Sequence, residues 1–280
     1  MTAEGNRAAI PPFLYGTAWK EERTAPLVRL AVQAGFRGID TANQRRHYFE
    51  QAVGDALEEL YGDGRLRRTD LFLQTKFTYA GGQDHRLPYD AQADFPTQVR
   101  QSFASSLQHL RTDYVDSYVL HGPSGSRGLS DADYAVWKEM EALCREGKTR
   151  FIGVSNVNLG QLQVLVQAAE IQPRFVQNRC FAVTRWDRDI REFCAARGIV
   201  YQGFSLLTAN PHVFREPELS AIARLHQKTL AQVVFRFAQQ AGMLPLTGTT
   251  DSRHMIEDLA SSAFLLAEDE VTLIEALGAT

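Results

Sequence analysis

Apolar positions along this chain follow two periods in turn. Short apolar runs of strand character stand at 13–18 (FLYGTA), 36–42 (FRGIDTA), 70–77 (DLFLQTKF) and 113–121 (DYVDSYVLH). Further runs stand at 150–156 (RFIGVSN), 173–178 (PRFVQN), 199–205 (IVYQGFS) and 243–249 (MLPLTGT). Between them, apolar residues recur at helical spacing over 26–36, 49–62, 96–110, 131–147, 159–170 and 187–198. The same spacing returns over 218–227, 230–240 and 252–260. This is about eight strand-then-helix units, and repeated units of that kind require parallel strands with helical crossovers. A doubly wound dinucleotide sheet opens with G-x-G-x-x-G after its first strand, and no such run occurs. The pattern therefore predicts an α/β protein built as a single (β/α)8 TIM barrel, one domain over 1–280. The longest irregular stretch, 79–96, follows the third strand, on the side where a barrel keeps its chemistry.

Composition narrows the function classes. Thirty basic residues against 33 acidic ones leave a net charge of −3. That argues against a nucleic-acid partner, which needs clustered positive charge. No apolar run approaches the roughly 18 residues of a membrane-spanning helix, so no membrane partner is expected. The opening MTAEGNRAAIPPF does not read as a signal peptide. Cys144, Cys180 and Cys194 are too few and too scattered for a disulfide framework. A cytoplasmic location is expected. The histidines have no metal-ligand spacing, so no metal is expected.

In a barrel, active-site groups stand at the carboxyl ends of strands. Strand two ends at Asp40, strand three at Lys76 and strand four at His121. Each has an ordinary reading: Asp40 as a cap, Lys76 as a solvated cation, His121 as a structural imidazole. Together, at three successive strand ends, they point to a site. A lysine and an aspartate so placed should pair, since an isolated buried charge is costly. Tyr48 follows in the loop RRHYFE. Its phenol, with an ordinary pKa near 10, is expected to be lowered by a neighbouring ammonium. The four groups make a proton-donor assembly for a carbonyl that is receiving a hydride.

At these residues the sequence resembles the aldo-keto reductase family. The resemblance runs from FLYGTAW to MIEDL, through GFRGIDTANQRRHYFEQAVGDAL, LFLQTKF, DYVDSYVLHGP, GKTRFIGVSNVNLGQL, FVQN and GFSLLT. It implies reduction of aldehydes and ketones with NADPH, NADH being possible, by the tetrad Asp40, Tyr48, Lys76 and His121. Tyr48 would be the general acid, His121 would orient the carbonyl, and Lys76, held by Asp40, would tune the tyrosine. Ser155, Asn156 and Gln177 resemble the contacts of the nicotinamide carboxamide. Phe204 takes the position of the ring that stacks on it. Ser205 and Leu207 resemble pyrophosphate contacts. Thr249, Thr250, His254, Glu257 and Asp258 fall where the adenosine 2′-phosphate and adenine are received, in a loop leading to a helix N-terminus. Trp19, Phe77 and Tyr79 are candidate substrate-pocket aromatics, whereas Trp137 reads as packing.

The chain departs from the family pattern in four places. The spacing from Asp40 to its tyrosine is longer than usual, with Arg45 at the unshifted position and His47 as the rival donor. Gly248 and His254 stand where many members clamp the 2′-phosphate with lysine and arginine. The long C-terminal substrate loop is expected to be missing, and the 79–96 loop to replace part of that wall. GPSGSRG at 122–128 imitates a phosphate loop but lacks its order, and reads as a flexible active-site loop. The expected partner is a small-molecule carbonyl compound, and the protein a monomer or weak homo-oligomer. Two rival functions remain: a lyase or aldolase using Lys76 as a Schiff-base nucleophile, and a cofactor-binding regulatory subunit with little turnover.

Overall fold

The fold is seen in a computed structural model, which describes residues 9–64 and 66–279. Eight parallel strands close into a barrel in chain order. They are β1 (Leu14–Gly16), β2 (Gly38–Asp40), β3 (Phe72–Phe77), β4 (Val115–Leu120), β5 (Thr149–Ser155), β6 (Phe175–Arg179), β7 (Val200–Phe204) and β8 (Met243–Thr247). Closure is made by β1 against β8, with Tyr15 beside Thr247. The outer layer begins with α1 (Thr24–Ala34), α2 (Glu50–Gly62), α3 (Phe95–Leu110), α4 (Asp131–Arg145) and α5 (Leu159–Ala168). It continues with α6 (Arg188–Ala195), α7 (Pro217–His226), α8 (Leu230–Gln240), α9 (Ser252–Leu259) and α10 (Glu268–Ala276). Among the described residues no helix is long and apolar enough to cross a membrane.

Helix starts are written locally. Ser130, Asn158 and Thr229 each accept a hydrogen bond from the backbone N–H three residues on, and Asp133, Gln161 and Gln232 answer reciprocally. Each side chain on a strand alternates between the barrel lumen and the helical layer. Leu14, Phe72, Phe175 and Leu244 fill the lower lumen as a small apolar cluster. The larger core lies between barrel and helices. One step above Phe72 and Phe175 on their own strands come Gln74 and Gln177, both buried. The lumen thus turns polar toward the carboxyl ends of the strands.

Two expectations change here. The 79–96 stretch is ordered by a 3-10 turn at Ala80–Gly82 and passes into α3 at Phe95. The 122–128 run is tied down rather than loose: Gln161 Nε2 donates to the carbonyls of Gly125 and Gly128, and Ser124 donates to Asp133. The helix α10 is not marked by the sequence pattern.

Candidate active site

The chemistry starts from the buried amides of the upper lumen. Gln74 Nε2 donates to Asp40 Oδ1 at 2.8 Å and to Gln202 Oε1 at 2.8 Å. Gln177 Nε2 donates to the same two acceptors at 3.1 and 2.9 Å. Lys76, wholly buried, donates from Nζ to both Asp40 oxygens at 2.7 Å and to the Thr41 carbonyl at 2.8 Å. Every proton of the ammonium is engaged. Burial pulls the Lys76 pKa down, and Asp40 opposes that shift. A buried charge pair of this kind holds only because further hydrogen bonds satisfy it.

Above this platform stand two rings. The Tyr48 ring centroid lies 5.2 Å from Lys76 Nζ and 5.8 Å from the His121 ring, which it meets edge to face. His121 Nδ1 is 2.7 Å from Thr78 Oγ1, and its backbone carbonyl accepts from Asn156 Nδ2 at 2.7 Å. Burial, then the charges of Lys76 and His47, push the His121 pKa down to about 3. The imidazole is therefore neutral near pH 7.

This cluster borders a cavity of about 1070 Å³. Asp40, Tyr48 and His121 line it, with Ser155, Asn156, Gln177 and Phe204 on the next strand ends. Ser205, Leu207, Thr249, His254, Glu257 and Asp258 carry the lining outward, and Trp19 and His47 stand at the rim. Asn156 and Ser205 adopt left-handed backbone (φ 54° and 56°). Such a conformation is uncommon outside glycine and clusters at functional sites.

A model of the aldo/keto reductase family matches residues 13–211. The chain belongs to that family. It is 28% identical to the rabbit (Oryctolagus cuniculus) prostaglandin-E(2) 9-reductase over 96% of this chain and 88% of the relative. It is 29% identical to a glyoxal reductase of Bacillus subtilis, covering 89% of this chain and 82% of the relative. Among solved structures, an aldose reductase from Schistosoma japonicum superposes with a TM-score of 0.83 at 25% identity, over 97% of this chain and 90% of that one. An aldo/keto reductase from Brucella melitensis gives 0.78 at 27% identity, over 95% and 94%. The protein is thus an oxidoreductase of the carbonyl-reducing type.

In this aldo/keto reductase several site expectations are corrected. Phe77 is fully buried with its ring against Tyr79 and Tyr89, and the Tyr79 hydroxyl donates to Asp133 Oδ1 at 2.8 Å. Neither lines the cavity, nor does Thr250 or any residue of the 79–96 loop. Strand alternation explains Phe77, which points outward because Lys76 points inward. Burial and the Asp40 charge raise the Tyr48 pKa, where a lowering by Lys76 was expected. The ammonium is already neutralised by its carboxylate, so desolvation dominates. The N-terminus of α9 is capped by Asp251, whose Oδ1 accepts from Arg253 N and His254 N. Those amides are not free for a phosphate.

Other functional residues escaped the sequence reading. Gln74 and Gln202 are 128 positions apart and carry no motif. Lys20, buried in the loop after β1, donates from Nζ to the Gly248 carbonyl and lines the cavity. A Cβ at Gly248 would come within 3.5 Å of that ammonium, so a cation stands directly beside this glycine. A signal existed in the WK pair at 19–20, but the partner lies across the barrel seam.

Proposed function

We propose that this protein reduces an aldehyde or ketone to an alcohol with NADPH, NADH being accepted in the same site, and that Tyr48 is the general acid. The gathering of Asp40, Lys76, Tyr48 and His121 beside a cavity of about 1070 Å³ carries this reading. The cavity's chemistry fits a dinucleotide. Ser155, Asn156 and Gln177 Oε1, which accepts no hydrogen bond among the described residues, offer polar contacts to a carboxamide, since both Gln177 Nε2 protons already serve Asp40 and Gln202. Phe204 offers a ring face. Lys20, Arg253 and His254 line the outer end and suit phosphates, the 2′-phosphate included.

A reduced nicotinamide, when held there, would supply the hydride that the carbonyl carbon receives. Tyr48 gives its proton to the developing alkoxide, and neutral His121 donates a hydrogen bond to the same oxygen. Asp40 and Lys76 hold the platform beneath the phenol. The Schiff-base alternative is disfavoured because Lys76 is fully buried and its protons are engaged by Asp40 and Thr41. The purely nucleotide-holding alternative leaves a proton donor in the cavity with no task. The reading takes the cytoplasm as compartment, in keeping with three unpaired cysteines.

The test is Tyr48→Phe with NADPH and a reactive aldehyde. We expect kcat to fall roughly 10²–10⁴-fold while the dinucleotide Kd stays near the wild-type value. Normal turnover in Tyr48→Phe, with loss in His47→Ala, would transfer the acid role to His47.

A further inference from the structure

We propose that Thr78 is the positioning residue of His121: its hydroxyl donates to Nδ1 and so fixes the ring as the tautomer that carries its proton on Nε2, facing the substrate oxygen. The inference rests on the carbonyl-reducing reading and adds what sets the imidazole's role as a donor.

Thr78 is the first residue beyond β3 and is buried. Among the described residues, the hydrogen bond of Oγ1 is with His121 Nδ1, at 2.7 Å. A neutral imidazole has one donor and one acceptor nitrogen, and a hydroxyl has one proton to give. If Nδ1 held the ring proton, the threonine proton would be left buried without an acceptor, a costly state. Donation from Oγ1 to Nδ1 leaves neither group orphaned. The ring proton then sits on Nε2, on the side of the ring away from Thr78. The depressed pKa of His121 agrees with a single ring proton.

Thr78 is itself fixed. Its carbonyl accepts from Tyr89 Oη at 2.7 Å and from Gln83 Nε2 at 3.3 Å. Gln83 Nε2 also donates to the Asn43 carbonyl at 2.9 Å, in the segment that leads to Tyr48. Gln44 Nε2 returns a bond to the Gly82 carbonyl at 2.7 Å. The loop after β3 therefore clasps the Tyr48 segment and the His121 partner together. This gives the 79–96 stretch a task other than forming a pocket wall.

Long-range proton–nitrogen correlation on ¹⁵N-histidine-labelled full-length protein reads the tautomer directly, with His121→Asn to assign the signal. At pH 7 we expect His121 with a protonated Nε2 and an unprotonated Nδ1. The reverse pattern overturns the proposal. In steady-state assays Thr78→Val should lower kcat about tenfold or more, since the lost donor acts on charge that develops in the transition state. KM and the dinucleotide Kd should stay within about threefold, and Thr78→Ser should restore kcat. Wild-type kcat in Thr78→Val with an unchanged tautomer also overturns it. Should Thr78→Val not fold, the wild-type tautomer and the Thr78→Ser rate still decide. An inactive wild type would sink the carbonyl-reducing reading but leave the nitrogen spectrum intact, so the two failures are separable.

Discussion

Lys76 and Asp40 illustrate how a residue's chemistry follows from its surroundings. A lysine is rarely fully buried unless paired; here a carboxylate and a backbone carbonyl pair it, and two glutamine amides in turn hydrogen-bond that carboxylate. The need for a partner was legible in the sequence; the amides that complete the set were not. Asp258 shows a different outcome. It is 3% exposed, and its Oδ2 accepts from Thr247 Oγ1 at 2.8 Å. Burial lifts its pKa to about 6 from 3.8. For an acid with a raised folded pKa, the stabilising contribution is present below the unfolded pKa and is lost as pH rises through about 6. Asp258→Asn should therefore be more stable than wild type at pH 8, on the order of 2–3 kcal/mol, and lose that advantage near pH 4. Thermal melts of both proteins across that range check it; an advantage independent of pH would refute the cause.

At the scale of elements, helices with strong capping residues and apolar stripes were readable, and α10 was not. Ile274 is its fully buried position. It is held by distant partners instead: Trp186 Nε1 donates to the Ile274 carbonyl at 3.1 Å, and His226 meets Glu270 at 2.8 Å. Packing between α2 and α3 is equally invisible locally. A Cβ on Gly54 would lie 1.8 Å from the His109 carbonyl oxygen, whereas one on Gly62, in the same helix, meets nothing within 4 Å. Gly54→Ala should cost about 3 kcal/mol or more by forcing the helices apart. Gly62→Ala should be neutral or gain about 0.5–1 kcal/mol. Urea titrations of the two variants give the comparison, and equal effects would contradict the close approach.

For the whole molecule, closure of the barrel is what turns separate loops into one cavity. Any dinucleotide that binds only the folded state stabilises it by mass action, about 2.7 kcal/mol at a hundredfold excess over Kd. We expect NADP⁺ to raise Tm by several degrees and NAD⁺ by less at the same concentration. His254→Ala should shrink the NADP⁺ shift and leave the NAD⁺ shift alone. Identical shifts for the two nucleotides in wild type would remove the 2′-phosphate role from the outer end of the cavity.

The sequence by itself determined the period of nearly every element, α10 excepted, and placed Asp40, Lys76 and His121 within one residue of the ends of three successive strands, β2, β3 and β4. Those are local properties, set by side-chain alternation and backbone preference within a few residues. Only the tertiary structure decided that Gln74 meets Gln202, that Lys20 reaches Gly248 across the seam from β1 to β8, and that Phe77 and Tyr79 face away from the cavity. It also decided the direction in which the Tyr48 phenol shifts, because desolvation depends on everything packed around a group and not on the charge nearest to it in a motif.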